Sequence, residues 1–486
     1  MNISKAFLAL PIAFALYACG DDSSAGSDPV VNPDDPSVIV SSDSQGSMDP
    51  TSSPVGGNEG GESSPEQPAS SAAAAVSTVA LPAGASPAVS DAFYETWKKR
   101  WIIYLNDEVA GGSTLNYEMF TGSQGQYIMT AKMGAPHPNP ARVIWDGGTG
   151  EQCELTEMGS WNGVTFTVAL RRKLGCTVSE GVGYGMLLAV LHNDKDLYNA
   201  LWAYNVVARD YNTAGLMPWE LQSFSNTVSN SAALDADLDV ATSLILAESK
   251  WGGGYYLADA LVLLDAIKLK GINPENLLIR PGDTWANKDV YNLSYLSPAA
   301  IRLFDAVQPE GKWLDILAAN YKYMMDVQDK GAVPLFPDWS NAAAEATDPK
   351  NGSAAKSYML FDKESVRIPW RIAWDYYWNQ SAEAQTILTK MSTFISTATA
   401  GDPNALSDYS YNYLTGELST SSIKGTHFIG AYCLMGMGVN QPWLDACYAR
   451  FNNEMASYNP VGYTGTYFKE ILMNLFATLL NGGFVK

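Results

Sequence analysis

The chain has 486 residues, 47% of them hydrophobic, and a formal net charge of −21. A sizeable core is affordable, but a nucleic-acid partner is excluded, because phosphate binding needs clustered Lys and Arg and no such cluster is seen. The three His, His137, His192 and His427, stand far apart without metal-ligand spacing, so neither a His-based metal centre nor any other cofactor is expected.

Taken in chain order, the N-terminus reads as an export signal. Lys5 precedes the apolar run Ala6 to Ala18, which is too short to span a bilayer as a helix. The run ends in Leu16-Tyr17-Ala18-Cys19-Gly20, which resembles a bacterial lipobox with Tyr17 where a small residue is usual. Residues 1–19 are therefore read as a lipoprotein signal, with lipid on Cys19 as the sole membrane attachment and the remainder in the cell envelope or beyond. Residues 20–88 are rich in Ser, Pro, Gly, Asp and Ala and almost free of aromatics, a composition that cannot bury enough apolar surface to order itself. This stretch reads as a flexible tether, and residues 89–486 as one folded domain, monomeric, with its first aromatic cluster from Phe93 to Trp101. Four further Cys remain. Spacing suggests Cys153–Cys176 and Cys433–Cys447, although four Cys allow three pairings.

Residues 105–170 are punctuated by Gly, Asn and Pro. Short alternating runs at Tyr127-Ile128-Met129-Thr130 and Val164-Thr165-Phe166-Thr167-Val168 predict strands or hairpins there. From Gly181 onward apolar residues recur at helical spacing in 181–192, 239–251, 255–269, 297–307, 312–328, 369–379, 382–397, 426–437, 442–454 and 467–482. Gly, Pro and Asn mark most of the breaks, and no convincing strand run intervenes, which disfavours a parallel α/β sheet. Many helices without a fixed short repeat predict a helical barrel or toroid rather than a solenoid.

Three segments place acids at the start of such helices. In Thr177-Val178-Ser179-Glu180-Gly181-Val182-Gly183-Tyr184-Gly185, Glu180 lies between small residues that leave the backbone open to a bulky ligand. A carboxyl group sunk there would have its pKa raised by desolvation, as a general acid requires, though a helix-capping Glu reads the same way. In Ala233-Leu234-Asp235-Ala236-Asp237-Leu238-Asp239, three Asp alternate. The opening resembles a calcium loop, but Val240 and Leu246 replace the turn Gly and closing Glu. In Phe361-Asp362-Lys363-Glu364-Ser365-Val366-Arg367-Ile368-Pro369-Trp370-Arg371, two acids and two Arg precede a helix; this is either a functional cluster or a surface salt-bridge cluster. Helices that alternate direction in a double ring bring alternate N-termini to one face, where such carboxylates could converge. Glycoside hydrolysis needs a proton donor and a second carboxylate.

The Ser179-Glu180-Gly181-x-Gly183-Tyr184-Gly185-Met186 segment, the Asp235-Ala236-Asp237 run through Trp251, and Arg367-x-Pro369-Trp370-Arg371 resemble glycoside hydrolase family 8. Gly215-Leu216-Met217-x-Trp219, Ser294-Tyr295-Leu296-x-Pro298 and the tail from Tyr467-Phe468 to Asn481-Gly482 fit as well. The resemblance covers about residues 93–484, with 105–170 atypical. It implies an all-α (α/α)6 double barrel, with a few short strands in the N-terminal insertion, that cleaves a β-1,4-linked polysaccharide with inversion. By position, Glu180 resembles the general acid and Asp235 the Asp that holds the distorted sugar ring. Trp219, Tyr295, Arg367, Asp362 and Tyr467 are expected to line the substrate cleft. In most members of the family the base is an Asp three residues before the first Arg of Arg-x-Pro-Trp-Arg, and in some it comes from a separate loop. Here that position is Glu364, with Asp362 as a rival and Glu345 or Asp348 in the polar stretch 338–356 as loop alternatives. A β-glucan is the favoured substrate, xylan or chitosan the alternatives, and a catalytically inactive glycan-binding protein the reading from another class.

Overall fold

The structure is a computed structural model that describes residues 79–485 apart from 149, 286–287, 351–358, 420–423, 460–461 and 464. The export signal, Cys19 and the tether up to residue 78 lie outside the described residues.

Helices differ in how much of their surface is buried, and together with their packing partners that difference separates two rings. In Tyr467–Leu480 every residue but Lys469 is buried, and in Ser179–Leu191 eleven of 13 are. Tyr255–Gly271, by contrast, buries seven of its 17 residues along one face. A helix apolar on all sides belongs inside, and one with an apolar stripe belongs on the outside of a core. By packing, six inner helices close a ring: Ser179–Leu191, Leu234–Trp251, Pro298–Val307, Ile368–Asn379, Thr426–Leu434 and Tyr467–Leu480, each packed on the next and the last on the first. Lys195–Asp210, Tyr255–Gly271, Trp313–Lys330, Ala382–Ala398, Gln441–Ser457 and Pro87–Trp101 each pack outside one inner helix. This is the expected (α/α)6 barrel. Because inner and outer helices alternate along the chain, the inner helices run in the same direction, and their N-termini gather at one end.

Several local expectations need correction. Residues 79–88, read as tether, belong to the folded body: Val79 and Leu81 pack on the core, and the Ser86 N–H donates to Asn481 Oδ1 at 2.9 Å. Val79 and Leu81 among Ala, Pro, Gly and Ser are too short a signal to mark this docking. Tyr127–Thr130 lies in the helix Ser123–Met133 rather than a strand. Four residues are too few to separate a period of 2 from one of 3.6. The insertion still holds antiparallel pairs, Ile102–Tyr104 with Ala141–Val143 and Ser160–Trp161 with Val164–Thr165, so its mixed character was legible. The outer helix Lys195–Asp210 escaped the periodicity reading because twelve of its 16 residues are buried, which blurs the polar face.

Two small antiparallel sheets interrupt the helical part. Cys176–Val178 pairs with Glu220–Gln222, which pairs with Asn226–Thr227; Leu360–Phe361 pairs with Ser410–Asn412, which pairs with Leu418–Ser419. Strands of two or three residues leave no alternating run to detect, yet each sheet leads directly into an acidic segment. The disulfides are Cys153–Cys176 and Cys433–Cys447, the pairing that the spacing suggested.

Candidate active site

The Cys176–Val178 strand delivers Glu180 to the first turn of its helix. The Ser179 N–H donates to the Trp219 carbonyl at 2.9 Å, which fixes Trp219 alongside. The flanking glycines serve packing, not an open approach for ligand. A Cβ on Gly181 would sit 2.8 Å from Tyr467 Oη, and one on Gly183 would sit 3.0 Å from the Ala236 carbonyl. Asp235 opens the next inner helix. Glu364 is presented by a tight turn that Asp338 grips: its Oδ1 accepts the backbone N–H groups of Asp362, Glu364 and Ser365 at 3.1, 3.1 and 3.0 Å, and the Ser365 hydroxyl at 2.8 Å.

Arg367 joins these groups. Its Nη1 donates to Glu180 Oε2 at 2.7 Å and to Asp235 Oδ2 at 2.9 Å, and its Nη2 donates to Glu364 Oε2. Asn292 Nδ2 also reaches Glu364 Oε2, at 2.9 Å, and Tyr467 Oη donates to Glu180 Oε1 at 3.1 Å. Tyr184 Oη lies 3.3 Å from Arg367 Nη1, and the Tyr295 ring lies 5.5 Å from the guanidinium carbon. Three carboxylates from three inner-helix entrances therefore surround one guanidinium, where the positive ends of the helix dipoles also favour negative charge.

Burial opposes that charge. It pushes Glu180 up to about 7 against the pull of Arg367, and the neighbouring Asp235 and Glu364 push the same way. Asp235 is raised by burial too, with Arg367 opposing. Asp338 is pushed up to about 6 by burial and then by Glu364. Asp237 is pushed up to about 8 by burial; it points away from the cluster and accepts the Met217 N–H at 3.0 Å. Asp239 forms a two-pronged pair with Arg371, one turn below Asp235, with Nη2–Oδ2 at 2.6 Å. The alternating Asp triplet thus splits into three tasks.

Of the residues singled out from sequence, the structure brings together Glu180, Asp235, Glu364, Arg367, Tyr295 and Tyr467. Trp219 stands beside the Glu180 strand and packs edge-on against Trp145, ring centres 6.3 Å apart. Asp362 is buried in the Asp338-gripped turn, where its backbone N–H donates to Asp338 Oδ1. Of the loop alternatives, the Glu345 side chain is 63% exposed opposite Lys330, while Asp348 is buried and its Oδ1 accepts the Lys350 N–H at 2.8 Å. From that polar stretch Asp338, its first residue, reaches the cluster through the Glu364 N–H. Sequence reasoning also passed over Asn292 and Tyr184 as site residues. Both had a signal, Asn292 two residues before Ser294-Tyr295 and Tyr184 inside the Glu180 motif.

Every residue of this cluster falls within 170–482, the stretch that matches the family described as Glycosyl hydrolases family 8. The chain belongs to that family. Endoglucanase 2 of Ruminiclostridium josui is 32% identical over 316 residues, covering 63% of this chain and 64% of that one. A reducing end xylose-releasing exo-oligoxylanase of Bifidobacterium adolescentis is 25% identical over 225 residues, covering 42% of this chain and 56% of its own. The chain thus spans less than two thirds of either relative. Among solved structures, a beta-1,3-1,4-glucanase from Paenibacillus sp. X4 superposes with a TM-score of 0.61 at 21% identity, over 84% of this chain and 95% of that one. At that identity the likeness carries the fold.

Proposed function

We propose that the protein hydrolyses β-1,4-linked glucan with inversion at the anomeric carbon. The observation that carries this reading is the placement of Glu180, with its raised pKa, and Glu364 around the single guanidinium of Arg367. Glu180 acts as the acid: its proton passes to the glycosidic oxygen as the C1–O bond breaks. Glu364 acts as the base, taking a proton from the water that adds to C1 from the opposite face, the geometry that inverting enzymes use. Asp235 holds the ring at the point of cleavage, and Trp219 and Tyr295 offer aromatic faces to flanking sugars.

A Glu in place of the family's Asp puts the carboxylate one methylene farther from the backbone. The Asp338 grip on the 362–365 turn and the Asn292 bond support Glu364 as the base despite that change. A catalytically inactive binder would not require three buried carboxylates on one Arg. The endoglucanase name of the more similar curated relative favours glucan, and the exo-oligoxylanase name keeps xylan as the second reading. Export belongs to the same proposal, supported by two disulfides that suit an oxidising compartment.

The test is product chromatography of the full chain incubated with carboxymethyl-cellulose, mixed-linkage β-glucan, xylan and chitosan. Short oligosaccharides from the glucans are expected. Products from xylan or chitosan alone would move the substrate, and binding without products from any polymer would sink the hydrolase reading.

A further inference from the structure

We infer that Asp146 is a positioning residue for Glu180, acting through Tyr467. This rests on the proposed role of Glu180 and deepens it. Asp146 lies in the loop after the strand Ala141–Val143, in the N-terminal insertion and outside the 170–482 family match.

The inner helix Tyr467–Leu480 begins without a cap from its own N-terminal residue: the Thr466 side chain makes no capping bond and donates instead to the Tyr463 carbonyl at 2.9 Å. Asp146 supplies the missing acceptor from 320 residues away. Its Oδ2 accepts the Thr466 N–H at 2.7 Å and the Tyr467 N–H at 3.3 Å. A carboxylate at this place satisfies orphan N–H groups and complements the helix dipole. It also sets where Tyr467 starts. The Tyr467 hydroxyl then reaches Glu180 Oε1 at 3.1 Å, in the space that a Cβ on residue 181 would invade.

The loop that carries Asp146 is anchored to the strand that leads into the Glu180 helix. The Ile144 N–H donates to the Trp101 carbonyl at 2.8 Å and the Trp145 N–H to the Cys176 carbonyl at 3.1 Å, while the Cys153–Cys176 disulfide closes the same loop onto the same strand. Arg142, buried, donates to the Cys176 carbonyl and to Thr177 Oγ1, each at 3.2 Å. Asp146 therefore links the two chain segments that meet at Glu180, the Cys176–Val178 strand on one side and the Tyr467 helix on the other. The insertion does not merely decorate the barrel; it sets one bond to the acid.

A misplaced acid betrays itself through the leaving group. A poor leaving group needs the proton, and a dinitrophenolate does not. In the full chain, Asp146→Ala is expected to lower kcat on an unactivated β-1,4-gluco-oligosaccharide by about tenfold or more, a part of the roughly 10²–10⁴-fold that acid catalysis supplies. On the dinitrophenyl glycoside of the same sugar the loss is expected to stay below about threefold, and Asp146→Asn, which keeps an acceptor oxygen, is expected to restore most of the activity. Tyr467→Phe removes only the hydroxyl and should show the same leaving-group split, so the inference remains testable if Asp146→Ala folds poorly. Equal losses on both substrates in Tyr467→Phe and Asp146→Ala, or no loss on either, would overturn it. Glu180→Gln run alongside separates the two levels. If that variant shows no leaving-group dependence, the acid assignment itself fails and takes the inference with it. If it does and the Asp146 and Tyr467 variants do not, only the inference fails.

Discussion

Glu180→Gln is expected to lower kcat on unactivated β-1,4-gluco-oligosaccharides by about 10²–10⁴-fold while substrate binding and thermal stability stay near those of the parent. The Gln keeps the shape and an acceptor for Tyr467 Oη but has no proton to give. The same group shapes the pH profile. Burial pushes Glu180 up to about 7, so the donor is present below that pH and lost above it. The alkaline limb of kcat/KM, which reports the free enzyme, should fall through about 7 and be absent from the residual activity of the Gln variant. Because Arg367 joins Glu180 to Asp235 and Glu364, the observed limb belongs to the cluster as a unit. Full activity in the Gln variant, or an alkaline limb that survives the substitution, would remove Glu180 from the acid's role.

The largest effect on stability is expected from Asp239→Ala. The Asp239 and Arg371 side chains are both 0% exposed and bond to each other through two oxygens and two nitrogens, while the guanidinium lies over Trp370 with its carbon 4.1 Å from the ring centre. Removing the carboxylate leaves a buried cation without a counter-charge, which typically costs about 3–5 kcal/mol. Urea unfolding of the variant and parent measures this directly, and a loss below about 1 kcal/mol would show that Arg371 finds another partner or water. The pair matters for the site because it ties the Leu234–Trp251 helix to the Ile368–Asn379 helix one turn beneath Asp235 and Arg367.

What was legible in the sequence followed from how local each signal is. The inner helices announce themselves by long apolar stretches, and Glu180, Asp235 and Glu364 by acids at the head of those stretches. Their convergence followed from the alternation of helix direction. Contacts that join residues tens to hundreds of positions apart left no local trace. Asp338 looked like one polar residue in a polar stretch, and nothing near Asp146 in the chain hints at the start of the Tyr467 helix. The glycines around Glu180 invited a ligand-access reading because a missing Cβ looks alike in sequence whether a sugar or a tyrosine fills the space. The short strands before Glu180 and Glu364 were invisible for a simpler reason: two or three residues cannot display a period.

The central claim is that Glu180 and Glu364 act on opposite faces of the sugar with a water between them, and the stereochemistry of the first product tests it most directly. Proton NMR of a β-1,4-gluco-oligosaccharide during the first minutes of hydrolysis distinguishes the new anomers before they interconvert. The account predicts that the α-anomer accumulates first and the β-anomer appears only as the sugar equilibrates. Initial accumulation of the β-anomer would mean retention through a covalent intermediate, and the assignment of Glu364 as a base acting on water would be wrong.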